Sequence, residues 1–248
     1  MGEGNCRQLF LIVKIFLSLL ICVSLAACSN KPIQRKDGSS SERPASLASI
    51  AKRDVDDASE IAQHEAVAGL RRLAEKLYRR NPAEWRKGNA QTLEAAVANI
   101  FDPLTQWQTS PRSRLDWQAS LNDAFREDYA GDRVEALMQG LLTMIMASYE
   151  HKTELYMFDD LDPQKLYNAA RNLEIAAWRL SNAKNANGEL LLLSNGADPN
   201  GIANLSFERE FGKLVATQDL IARIIEDKSN RSIRFIVVNL ASLAFLPI

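Results

Sequence analysis

The sequence predicts an all-α fold, a single multi-helix domain of six to seven helices over residues 46–248. Two patterns carry this. Apolar residues recur at spacings of three and four, the period of a helix with one buried face. No run alternates apolar and polar residues over a useful strand length. Apolar residues make up 46% of the 248, which is enough to form a core and excludes a disordered chain.

Each element has a local reason. From Ser46, Leu47, Ile50, Ala58, Ile61, Ala62, Leu70, Leu73, Ala74 and Leu77 keep helical spacing until Asn81-Pro82 stops the run. A second helix, Thr92–Phe101, places Leu93, Ala96, Val97 and Ile100 on one face and ends at Asp102-Pro103. A third, from Arg114 to Tyr129, carries Leu115, Leu121 and Phe125. Gly131-Asp132 reads as an end followed by a new N-cap. The fourth, Arg133 to Phe158, is apolar on nearly every face around Leu141–Met146, so it is the expected central helix. Asp162-Pro163 opens a fifth, running to Asn182, with Asp as cap and Pro where its missing donor costs nothing. Asn187–Gly201 reads as a loop, and Ser206 caps a sixth helix reaching Asp227. Last comes an apolar segment, Ile233–Leu246, expected as a buried terminal helix, with a surface facing a partner or a membrane as its alternative. At about 21 Å it falls short of a hydrocarbon core of about 30 Å.

Charge narrows the function. Thirty Lys plus Arg against 31 Asp plus Glu lacks the basic excess of a nucleic-acid binder. Two His and three Cys leave few ligands for a His- or Cys-based metal site, and no cofactor is expected.

The first residues have the order of an export signal. Arg7 and Lys14 flank apolar Leu9–Val13, and a longer apolar run, Ile15–Ala27, follows. It ends in Leu25-Ala26-Ala27-Cys28, which resembles the lipobox of bacterial prolipoproteins. The resemblance covers residues 1–28 only. It implies removal of residues 1–27 and a lipidated Cys28 that holds the chain on a membrane; one acyl chain anchors marginally and two or three essentially permanently. Ser29, where Asp would favour inner-membrane retention, implies the periplasmic face of an outer membrane. Cys6 and Cys22 would leave with the signal, so the helical domain would carry no thiol. Residues 28–45, with Pro32, Gly38, Ser39–Ser41 and Pro44, read as a flexible tether spanning about 23 Å.

Motifs with known chemistry are incomplete. The residue four beyond His64 is Ala68, so the zinc-protease pair is missing. The residues three before His64 and His151 are Ile61 and Ser148, which excludes the di-iron Glu-x-x-His pattern. Leu191 to Asn200 resembles the end of an ankyrin repeat, but no 33-residue period accompanies it. One constellation is worth testing. Glu150 and Glu154 would sit one turn apart on the fourth helix, with His151 beside them and Asp159, Asp160 and Asp162 just beyond. Such a group suits an acid/base pair or a divalent cation; its plain alternative is a solvated helix end relieved by Lys152 and Lys165. Trp85, Trp107, Trp117 and Trp178 read as core edges, or as the lining of a sugar or peptide groove. A basic cluster, including Arg71, Arg72, Lys76, Arg79, Arg80, Arg86 and Lys87, could meet anionic headgroups or simply suit a helix C-terminus.

The expectation is therefore a lipid-anchored envelope protein, a non-catalytic interaction or scaffolding subunit with an envelope protein partner. No residue is assigned as catalytic or metal-binding. The rivals are a lipid or small-ligand carrier built on the Met-rich fourth helix, and an enzyme using the carboxylate cluster.

Overall fold

The computed structural model describes residues 33–34, 40–41, 54–88, 90–156, 159–197, 201, 203–229 and 244–248. The chain divides into two units, Met1–Ser49 and Ile50–Ile248. In the first, β1 (Ile33–Gln34) pairs antiparallel with β2 (Ser40–Ser41). The signal, the lipobox, Cys28 and the rest of the tether lie outside the described residues.

The second unit is all-α. Its helices are α1 (Asp54–Arg80), the single turn α2 (Pro82–Trp85), α3 (Leu93–Phe101), α4 (Trp117–Phe125), α5 (Arg133–Ser148), α6 (Pro163–Asn182) and α7 (Ser206–Ser229). Two-residue strands, β3 (Gly196–Ala197) and β4 (Ala203–Asn204), pin the long loop before α7. Among the described residues no helix is long and apolar enough to cross a membrane.

Capping chemistry sets most starts. Thr92 accepts from the Ala95 amide, Asp116 from Gln118 and Ala119, Asp132 from Glu135, and Asp162 from Gln164. At α7 the accepting side chain is Asn204, bonded to the Ser206 amide, rather than Ser206 itself.

α5 is the axis. Thirteen of its 16 residues are buried, leaving out only Glu135, Gln139 and Ala147. Around it pack the apolar face of α1 (Ala66, Leu70, Leu73, Leu77), α4 through Leu121, and α6 through Leu166 and Leu173. Each large side chain so buried contributes roughly 1.5–3 kcal/mol. Gly140 sets the approach of α4, because a Cβ there would lie 2.8 Å from the Leu121 side chain and 3.1 Å from its main-chain nitrogen.

Three expectations need correction. The stop at Asp102-Pro103 is not among them: α3 ends at Phe101 as expected, and 3-10 turns follow over Asp102–Thr109 and Pro111–Arg114. The third helix is shorter than its pattern, and Leu115, counted on its apolar face, is 37% exposed outside it. The central helix ends at Ser148, ten residues before Phe158. Residues 244–246, read as the end of a terminal helix, are not helical; residues 230–243 lie outside the described set.

α5 ends by a recognisable device. The His151 amide donates to Met146 O and the Glu150 amide to Ala147 O, the paired bonds of a Schellman closure. Glu150 (φ 55°) occupies the left-handed position where glycine is usual, and His151 (φ 56°) follows it there. No glycine marks the stop, so the sequence hides it.

Candidate functional site

The end of α5 disperses the residues that the sequence groups together. Glu150 and Glu154 share no helical face. Glu150 pairs with Lys165 on α6 at 2.9 Å. His151 lies parallel to buried Trp107, whose Nε1–H donates to His151 Nδ1 at 3.3 Å. That bond requires an unprotonated Nδ1, and burial holds the imidazole below its ordinary pKa of 6.5 against the opposing pull of Glu150. Glu154 accepts from the Tyr156 hydroxyl and lines an open groove of about 630 Å³ beside α1, with His64, Val67 and Arg71 among its walls. Asp159 takes Lys152 at 2.6 Å and the Tyr156 amide at 2.8 Å. Burial opposes its ionisation, but these bonds outweigh that and hold its carboxyl low. Asp160 is exposed, and Asp162 caps α6. Among the described residues no three His, Cys, Asp or Glu side chains converge on a point where a metal ion could sit.

The start of α5 gathers a polar group that no sequence spacing announces. Asp132 is buried and accepts from the Glu135 amide at 2.9 Å and the Tyr78 hydroxyl at 2.8 Å. Glu84, from α2, accepts from the Arg133 amide at 2.8 Å and from Lys87 at 2.7 Å. Arg133, 7% exposed, turns back to donate to the carbonyls of Ala124, Arg126 and Glu127 at the end of α4. Beside them lies a cavity of about 210 Å³, walled by Tyr78, Trp85, Arg112, Asp132 and Glu135 among others. Arg112 Nη1 is buried there without a hydrogen-bond partner.

Burial shifts these groups. It raises the carboxyls of Asp132 and Glu135, only partly offset by the Tyr78 hydroxyl and main-chain amides at Asp132 and by Arg112 near Glu135. The Tyr78 phenol is pushed well up, by burial first and then by Asp132. The hydroxyl therefore stays a donor. The group bonds α1, α2, α4 and α5 together, with Asp132 directed at a main-chain amide and a phenol and Glu84 at a main-chain amide and Lys87.

A third concavity, of about 600 Å³, opens between α6 and α7, with Trp178 36% exposed beside Phe211 and Val215. The other three tryptophans are buried or half-buried against the core. The basic cluster is largely engaged: Arg71 pairs with Asp102, Arg72 with Glu210, Lys76 with Ser206 O, and Lys87 with Glu84.

No family model, no curated protein and no solved structure matches this chain.

Proposed function

We propose that this chain is a lipid-anchored envelope protein whose helical unit works as a non-catalytic interaction or scaffolding subunit. The observation that carries the reading is Leu25-Ala26-Ala27-Cys28 closing an apolar run with basic flanks. Ser29 favours the periplasmic face of an outer membrane as the address. The distribution of ionisable groups is in keeping with this reading. Glu150, Asp159 and Asp162 each serve a different local bond, and Asp132 and Glu84 hold helix ends. The open surface between α6 and α7, with its exposed tryptophan, is suited to contact with another protein.

The test begins with the anchor. Cells fed an alkyne fatty acid should incorporate it into the wild-type chain and not into Cys28→Ser, and only the former should sediment with outer membranes. Crosslinking in those cells, followed by mass spectrometry, should then recover an envelope protein in stoichiometric amount. An unlabelled wild-type chain overturns the anchor. A labelled, folded chain that captures nothing overturns the scaffold.

A further inference from the structure

Two asparagines on α6 break the rule for a buried helical face. Asparagine is a weak helix former, and a buried carboxamide without partners is costly. Yet Asn168 and Asn172 stand one turn apart, 5% and 0% exposed, among Leu166, Ala169 and Leu173. Their partners resolve the conflict. Asn172 grips Leu246 at both main-chain groups: its Oδ1 accepts from the Leu246 amide at 2.7 Å and its Nδ2 donates to the Leu246 carbonyl at 2.9 Å. Asn168 Nδ2 donates to the Pro247 carbonyl at 2.8 Å, and its Oδ1 accepts from Gln164.

Three of these four bonds read main chain, which any sequence supplies. Side-chain selection falls on Phe245. Its ring meets Trp117 edge-on at 6.0 Å and lies under the Arg179 guanidinium at 4.6 Å, which Asn122 steadies. This is how an extended peptide is held: backbone bonds for affinity, one aromatic pocket for register.

We propose that Asn168, Asn172, Trp117 and Arg179 form a peptide-binding site that takes residues 244–248 not only from its own chain but from a second copy. The same five residues in trans present the same bonds, so complementarity is already demonstrated by the resident segment. Residues 230–243 connect it to α7, a contour of up to about 48 Å, so the linkage is long enough to permit exchange between neighbours. Lipid anchoring would confine neighbours to one surface and raise their effective concentration. The inference names the partner in the interaction reading above as a second copy. Its test needs no membrane, so it can fail while the anchor stands.

The experiment pairs two chains exported behind an ordinary cleavable signal in place of residues 1–27, both carrying Cys28→Ser so that neither lipid nor signal remains. One has a disabled groove (Asn172→Ala), the other a disabled segment (Phe245→Ala with Leu246→Pro, which removes the clamped amide). Each alone should run as a monomer in light scattering. Mixed at about 100 µM each, they should form a one-to-one complex of doubled mass. Monomers after mixing, with helical circular dichroism intact in both, overturn the proposal. Should either variant fail to fold, the same exported Cys28→Ser chain with no further change answers. About 1 mM of a synthetic peptide of residues 240–248 should then strip hydrogen-exchange protection from the Leu246 amide. Full protection at that excess overturns the site. Peptide displacement without a heterocomplex overturns the second copy as its occupant.

Discussion

At the start of α5, acidic side chains are buried and bonded to main-chain amides, a phenol and, at Glu84, one lysine; at its end, acidic side chains face lysines across partly exposed surface. Asp132 and Glu84 are 6% and 8% exposed, whereas the Glu150 and Lys165 side chains are 35% and 33% exposed. Burial makes the difference in weight. A buried donor or acceptor that loses its partner costs its whole desolvation penalty, while an exposed ion pair has water as a substitute. The two ends therefore teach that acidic residues close in sequence need not work together, and that acidic residues 48 positions apart, such as Glu84 and Asp132, can.

The comparison breaks most sharply at Arg133. Arg133→Met would leave three carbonyls at the end of α4 without their donor, and should lower unfolding free energy by about 3 kcal/mol. Urea denaturation followed by circular dichroism measures it; a loss below that of any change at Glu150 would erase the contrast.

Tyr78→Phe is gentler. It removes one bond to a buried carboxylate, so about 1.5 kcal/mol should be lost in the same assay.

Acidity pulls the two ends in opposite directions. Asp132 and Glu135 have raised carboxyls, so each binds its proton more readily folded than unfolded. Their cost to the fold at neutral pH is relieved as pH falls through the folded values toward the ordinary 3.8 and 4.5. His151 is lowered, so the unfolded chain takes its proton first. Stability is lost as pH falls from 6.5 toward the folded value, and protonation at Nδ1 opposes the Trp107 bond. The difference in melting temperature between wild type and His151→Gln, followed from pH 8 to 5, should change sign or shrink below 6.5. A constant difference would remove His151 from the account.

The smallest effect belongs to Glu150. Glu150→Gly relieves a left-handed residue and gives up a half-exposed ion pair worth a few tenths of a kcal/mol, for a net gain of up to about 1 kcal/mol. Thermal unfolding should show a slightly higher midpoint; a clear drop would mean that the Lys165 contact outweighs the backbone.

These differences also explain what could be read in advance. Helix starts at Thr92, Asp132 and Asp162 are local chemistry, a side-chain oxygen beside exposed amides, and the sequence displays them. The end of α5 is not local. It is a glycine-type closure made by Glu150 and His151, supported by Lys165 and Trp107 from elsewhere in the chain. Reading through it created the apparent Glu150–Glu154 pair. The proline stop was legible too: Asp102-Pro103 ends α3, and the same proline suits the first turn of the 3-10 helix that follows, as its missing amide is unneeded there. The polar group of Tyr78, Glu84, Asp132 and Arg133 left no sequence signal beyond the cap, because only the packing of α1, α2, α4 and α5 brings it together. Asn168 and Asn172 did leave one: two poor helix formers at spacing four on an apolar face.

α5 has one further consequence, and it concerns how the sequence can drift. A helix enclosed on all sides offers a substitution no solvent to turn toward, and Gly140 tolerates not even a methyl group without moving Leu121. The outer faces of α6 and α7 have no such restraint. Copies of this protein in diverging lineages should therefore come to differ across most of their surface while Arg133–Ser148 stays nearly unchanged, and those sixteen residues are the sensible bait for finding distant kin.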